Sequence, residues 1–440
     1  MKENSQNNLL SGKLGVVTIA MMSVVGIFSL RTLPLMAEYG FSAIFYYIAI
    51  ALLFFIPSAL TCAELATGWP KTGGLYVWVK EAFGSRIGFL AIWLEWTNTV
   101  ISFPVTLVFI AAMIAYAFNP ALADNKYYML ISMLILFWGT TFINFLGIKF
   151  SSLISNIGLI FGTLFPCVLM IGLSASWLLL DKTPQIHFSL HSFIPDFGLT
   201  KSAFIVGLIL GYAGMQVAGF HAQDAKNPQR DYPRAMFAAV FVILALSIFG
   251  SLAISIVVPQ QKISVVTGIM QAIDIFFQTF HLGWFLPIAT ILIAIGTFSM
   301  VNIWIISPCK GLLASARCGD LPKVMTRVNK YGAPTTLLIT QALVGTFFSL
   351  VYLLMPTVSS SYWMLFALTA LLTLLMNILL FSSVIYLRYK QPNTPRGYKI
   401  PGGKLGLWII AGTGILICAI AFFVGFISNS RISLSKTLGF

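Results

Sequence analysis

Ten long stretches of this chain run without a single Asp, Glu, Lys or Arg; nine are 17–31 residues long and the tenth is 57. They are Leu14–Leu30, Tyr39–Ala63, Trp96–Ala123, Tyr127–Ile148, Phe150–Leu180, Ser202–Gln223, Ala235–Gln261, His281–Cys309, Tyr331–Leu387 and Leu405–Ser430. A membrane-crossing helix needs about 20 mostly apolar residues. The 57-residue stretch is divided by Met355-Pro356-Thr357-Val358-Ser359-Ser360-Ser361 and reads as two spans, so eleven transmembrane helices are expected. Only helices satisfy their own backbone in hydrocarbon over such lengths; barrel strands are shorter and alternate. Charged residues make up 9% of the chain, against about 25% in soluble domains. Too little polar surface remains to wet a soluble fold of this length. The fold class is an all-α polytopic membrane protein.

The net charge of +14 is a matter of orientation rather than of nucleic acid. With the N-terminus inside, 19 of the 26 Lys and Arg fall in cytoplasmic segments, among them Lys71, Lys80, Arg86, Lys226, Arg230, Arg317 and Lys330. Six lie outside (Lys126, Lys182, Lys201, Lys262, Arg431, Lys436), and Arg31 lies within a span. This is the positive-inside bias. The first apolar run lacks a small-residue cleavage site and reads as a retained helix. The five cysteines fall in spans or at the inner face and imply no disulfide framework. The partners expected are a small molecule and the bilayer. No zinc spacing or nucleophilic triad is visible, and nothing assigns a cofactor or an oligomeric state.

One membrane domain is expected: a cytoplasmic N-terminus over 1–12, a ten-helix core over 13–390, an inner loop over 391–404, an accessory helix over 405–430 and a tail over 431–440. Two spans look interrupted. The first reads Ser23-Val24-Val25-Gly26-Ile27-Phe28-Ser29, then Arg31 and Pro34; the sixth reads Gly207, Gly211-Tyr212-Ala213-Gly214, then Gly219. Glycine also serves close helix packing, so each break alone is a weak signal. Interrupted helices in matching positions of two halves point to a transporter built from inverted repeats, here five plus five. An unwound turn at the midplane exposes backbone N–H groups to a carboxylate and free carbonyls to an ammonium or cation.

Three cytoplasmic signatures follow. Ala63-Glu64-Leu65-Ala66-Thr67-Gly68-Trp69-Pro70-Lys71-Thr72-Gly73-Gly74-Leu75-Tyr76-Val77-Trp78 comes after the second span, and Lys226-Asn227-Pro228-Gln229-Arg230-Asp231-Tyr232-Pro233 after the sixth. Ala314-Ser315-Ala316-Arg317, Gly319-Asp320-Leu321-Pro322 and Val328-Asn329-Lys330-Tyr331-Gly332-Ala333-Pro334 come after the eighth. Together they resemble the amino acid–polyamine–organocation transporter superfamily. Tyr398-Lys399-Ile400-Pro401-Gly402-Gly403-Lys404 and the Lys226–Pro233 run look closest to its bacterial glutamate/GABA antiporter branch. The resemblance spans roughly residues 13–430. It implies a LeuT-type fold in a bacterial inner membrane, with substrate between helices one, three, six, eight and ten. It places the substrate carboxylate at Gly26, Ile27, Phe28 and Ser29, where the family's usual glycine pair is absent. It places the amino group at Gly211, Tyr212, Ala213 and Gly214, and makes Trp304 an aromatic on the substrate path or a packing residue. Gln216 stands where relatives often carry a glutamate; it keeps the hydrogen bonding but cannot titrate. The chain stops after the eleventh expected helix, without the twelfth helix and inner-face plug of the glutamate/GABA antiporter.

A charge inside the hydrocarbon is costly and therefore a functional candidate. Arg31, one turn beyond the first break, either attracts an acidic group or snorkels outward toward the level of Glu38. Glu95 lies nine residues beyond Arg86, roughly 14 Å into the membrane. It suits a proton carrier, or a carboxyl hydrogen-bonded between helices. Glu64 matches a family carboxylate at the inner end of the second span and reads as part of a gate or structural network. His187, His191, His221 and His281 sit in loops or at span ends and read mainly as solvated.

The resemblance implies a secondary amino-acid transporter. The expected activity is exchange of a glutamate-like amino acid for its decarboxylated product, the decarboxylation itself consuming a cytoplasmic proton. The alternatives are a proton-coupled amino-acid or polyamine importer and a non-transporting membrane sensor. A membrane-embedded enzyme is excluded by the lack of clustered acids, histidines or metal ligands.

Overall fold

The computed structural model describes residues 15–437 apart from 72, 147–157, 159, 195–198, 217–225 and 265. Segment 1–12, Thr72, the start of the fifth expected span, Gly219, His221 and residues 438–440 lie outside the described residues.

Every regular element among the described residues is helical. Among the described residues, nine uninterrupted helices are long and apolar enough to cross a membrane: Gly40–Gly68, Ser85–Phe118, Lys126–Phe145, Ile160–Leu179, Gln229–Val257, Gly283–Arg317, Thr335–Leu354, Val358–Lys390 and Gly403–Gly425. These are the second to fifth and seventh to eleventh spans. The first span is a bent pair, Val16–Ile27 and Leu30–Ala37, with 44° between its halves. Helix Leu199–Tyr212 occupies the sixth position.

Burial sorts the spans. In its most apolar stretch the third span is 78% buried, against 28% for the fifth and eleventh. The third is therefore the central pillar, packed chiefly on the eighth and tenth. Large apolar side chains such as Phe241, Phe249, Leu343, Phe347, Leu416 and Phe423 stay exposed on the outer spans. In water they would be a liability; here they meet acyl chains.

Two irregularities have local causes. Widened turns at Ala51–Phe55 and Ile160–Leu164 are followed two residues on by Pro57 and Pro166. A proline removes an amide donor and crowds the carbonyl four residues back, so the turn opens. The fifth and eighth spans touch backbone to backbone: a Cβ on Gly162 would lie 2.3 Å from the Gly296 nitrogen. Small residues permit that approach where apolar side chains gain nothing by leaving lipid.

Candidate substrate cavity

The first span stops at Ile27. Phe28 and Ser29 are extended, with ψ of 122° and 128°. The chain restarts as a tight turn, Leu30–Thr32, pinned by the Thr32 amide (3.1 Å) and hydroxyl (2.8 Å), both donating to the Ser29 carbonyl. Pro34 then sits in the first turn of Leu33–Ala37, where its missing N–H costs nothing. The sixth helix stops at Tyr212, and Ala213 and Gly214 interrupt it before helical residues resume at Met215 and Gln216. Gly214 has φ of +122°, a region that L side chains rarely adopt. The two breaks meet: a Cβ on Gly214 would lie 3.2 Å from Ile27 Cγ1 and 3.5 Å from Trp304 Cζ2. The Trp304 indole N–H donates to the Gly26 carbonyl at 3.2 Å, so that carbonyl is already occupied.

A cavity of about 810 Å³, counting the part open to solvent, surrounds the breaks. The first span lines it with Gly26, Ile27, Ser29, Arg31 and Thr32, and the sixth with Leu210, Gly211, Ala213, Gly214 and Gln216. Asn98, Thr99, Ser102, Phe103 and Thr106 come from the third span, Met300, Val301 and Trp304 from the eighth, and Thr369, Thr373 and Met376 from the tenth. Spans one, three, six, eight and ten thus converge. Phe28 and Tyr212, expected at the site, do not line it. Tyr212 turns toward the second span and stacks on Phe55 with ring centroids 4.4 Å apart. The hydroxyl and amide residues of the third span were not singled out from the sequence. Their signal was present, since residues 98, 102 and 106 recur every four positions and share one helix face.

Among the described residues, Arg31 is the one charged residue lining the cavity. Its side chain is 9% exposed. It turns inward, and its Nη1 donates to Thr106 Oγ1 at 3.0 Å. Its Nε has no hydrogen-bond partner, and no carboxylate pairs with it among the described residues. The tyrosine rings at 352 and 362 lie within range of its charge.

Glu64 and Glu95 lie outside the cavity lining. Glu64 is fully buried near the C-terminal end of the second span and is heavily partnered. It accepts from Arg388 Nε at 2.7 Å and from Arg388 Nη2, and from the Ile400 amide at 2.9 Å. Arg396 Nε is 3.7 Å away, and its guanidinium lies over the Trp69 ring. The network ties the second span to the tenth and to the loop after it. Glu95, 1% exposed, has no well-formed hydrogen bond on either carboxyl oxygen among the described residues, with the Gln216 side chain its polar neighbour.

Two opposed helix breaks around a polar cavity at the meeting of five spans define a carrier that closes over a small solute. The comparisons agree. The chain matches the amino acid permease family over residues 14–439. It is 45% identical over 428 residues to an uncharacterized transporter of Legionella pneumophila, covering 97% of this chain and 92% of that protein. It is 30% identical over 431 residues to the glutamate/gamma-aminobutyrate antiporter of Lactococcus lactis, covering 94% and 86%. The solved structure of MhsT in complex with L-phenylalanine shares the fold, with a TM-score of 0.63 at 15% identity over 94% of this chain and 98% of that one. The chain belongs to the amino acid permease family. It is a multi-pass membrane transporter of small amino-acid substrates with a LeuT-type fold, not an enzyme.

Proposed function

We propose that this protein is an antiporter that exchanges a glutamate-like amino acid for its decarboxylated product, GABA in the case of glutamate. It would do so by alternating access across a bacterial inner membrane, with its N-terminus in the cytoplasm. Residues 13–390 form the transport unit in this reading, and 405–430 an accessory helix.

The observation that carries the reading is Arg31, a buried guanidinium that lines the cavity without a carboxylate partner. Arginine stays protonated and presents a fork matched to carboxylate geometry. Glutamate brings an ammonium and two carboxylates. Loss of the α-carboxylate leaves the ammonium and the distal carboxylate, and these are the groups that both exchange partners share. In the proposed pose Arg31 holds the distal carboxylate. The carbonyls around Gly211–Gly214 receive the ammonium. The first break at Gly26–Ser29 receives the α-carboxylate, which only the amino acid carries. Trp304 and Gln216 border the ammonium. A polyamine would place its cations against Arg31, which disfavours polyamine import.

The test is uptake of labelled glutamate into proteoliposomes. Internal glutamate or GABA should accelerate uptake, and internal putrescine should not. Uptake indifferent to both internal amino acids across a pH series contradicts the antiporter reading.

A further inference from the structure

Two buried glutamates in this protein are treated in opposite ways. Glu64 is given a bidentate arginine, a second guanidinium and a backbone amide. Glu95 is equally buried and, among the described residues, is given no cation and no well-formed hydrogen bond to either oxygen. An ion pair with further hydrogen bonds is the way a fold holds a buried carboxylate; an isolated one carries an uncompensated desolvation cost of several kcal/mol. This arrangement therefore favours Glu95 as the neutral acid.

Its place makes that useful. Glu95 is one turn inward of Asn98, which lines the cavity. Gln216, another lining residue, faces it from the sixth span. The Gln216 side-chain oxygen has no hydrogen-bond partner, while its amide nitrogen points to the Met376 sulfur at 3.9 Å. Among the described residues the Gln216 amide is the side chain that could bond a carboxylate at position 95, a single neutral donor against full burial. Few other titratable groups bear on the site. The second span presents the Cys62 thiol, with Tyr232 of the seventh span behind it. The eighth span brings Cys309 toward the neighbouring Trp96 and carries Lys310 next in the chain. The charged residues of the tenth span are Arg388 and Lys390 at its inner end, and that of the fourth is Lys126 at its outer end; the ninth span has none. The short helix Leu75–Phe83 carries Lys80 and Glu81 near the inner surface.

We propose that Glu95 is a proton-binding site beside the substrate cavity, and that the carrier closes over its substrate only when the site is protonated. When the cavity opens to either side, water reaches Glu95 past Gln216 and the proton equilibrates with that side. Each half-cycle of exchange carries one proton, in opposite directions, so complete exchange moves no net proton while its rate follows pH. The inference does not depend on which amino acid fills the cavity.

The test pairs a transport measurement with one that needs no substrate. Labelled glutamate exchange in proteoliposomes is followed across pH for the wild type and Glu95→Gln. The wild-type rate should be flat at acid pH and then fall, approaching about tenfold per pH unit beyond the titration midpoint, as for one required proton. Glu95→Gln should keep the acid rate and lose the fall. Infrared spectra of the purified wild type at acid pH should contain a carboxylic-acid carbonyl band that is missing in Glu95→Gln. Should Glu95→Gln fail to fold, Glu95→Asp retains an acid; its band should be shifted and its pH profile displaced. A Glu95→Gln profile that falls with pH as the wild type does overturns the proposal. So does a folded Glu95→Gln or Glu95→Asp variant whose spectrum matches the wild type in this band. If glutamate is not exchanged at all, the substrate assignment fails while the infrared arm still decides the site.

Discussion

Replacing Arg31 with glutamine isolates the recognition of the distal carboxylate. The fold loses little. Arg31 makes one hydrogen bond among the described residues, to Thr106; a bond from a charged donor contributes about 1.5–3 kcal/mol, offset by relief of the cost of burying a guanidinium with no carboxylate beside it. The substrate loses the one cation that lines its cavity among the described residues. A hydrogen bond to a charged group is worth about 1.5–3 kcal/mol. At about 1.4 kcal/mol per tenfold, the apparent affinity for glutamate should fall roughly 10- to 150-fold. GABA should lose a similar factor, because it offers the same carboxylate. Alanine, which has no second carboxylate, should compete as well as before. The assay is competition against labelled glutamate exchange, with the melting temperature confirming that Arg31→Gln is folded. Arg31→Lys should recover part of the affinity, since the charge returns without the planar fork. A folded Arg31→Gln with unchanged half-saturation for glutamate would refute the reasoning.

Three further outcomes are expected. Glu64→Ala leaves Arg388 and Arg396 buried beside an empty acceptor, at a cost of about 3–5 kcal/mol. It should shorten the half-life of the purified protein at elevated temperature, and an unchanged half-life would count against the network. Glu38 stands between the first two spans, and burial raises its carboxyl from 4.5 to about 7. Because the fold favours the neutral form, its contribution to stability is best below pH 4.5, declines as pH rises toward 7 and is level above that. Melting curves across that window should show this decline in the wild type and not in Glu38→Gln. Cys318 is the exposed cysteine at the C-terminal end of the eighth span, cytoplasmic in the proposed orientation, and the other four are buried. The Tyr76 hydroxyl and the Lys80 ammonium, whose Nζ is 3.3 Å from the sulfur, hold its thiol below the usual range. An impermeant maleimide should label it in inside-out vesicles only, and more slowly in Lys80→Met; labelling in right-side-out vesicles would reverse the proposed orientation.

Much of the fold was legible because one physical term dominates it. A charge in hydrocarbon is costly, so gaps between charged residues mark the spans. The two breaks were legible for a related reason: Gly26, Ser29 and Pro34, and the run Gly211–Gly214, are residues that end or restart helices. Side-chain direction was less accessible. Tyr212 belongs to the sixth break, yet its ring leaves the cavity because Phe55 offers a stacking partner on the second span. The inward turn of Arg31 depends on Thr106, 75 residues away. Glu64 finds its arginine 324 residues along the chain, and no local pattern announces such a partner. The third-span stripe at residues 98, 102 and 106 was readable, but three small polar residues stand out weakly in a helix of 34.

The account's central claim is that one cavity takes an acidic amino acid in one direction and its decarboxylated product in the other. At neutral pH glutamate carries one net negative charge and GABA none, so heteroexchange separates charge whereas homoexchange does not. Proteoliposomes loaded with GABA and diluted into glutamate, followed with a potential-sensitive dye, test this directly. The account predicts an inside-negative potential that collapses with a potassium ionophore and is absent with glutamate on both sides. No potential under conditions where labelled glutamate enters against GABA, or one of the opposite sign, would contradict it.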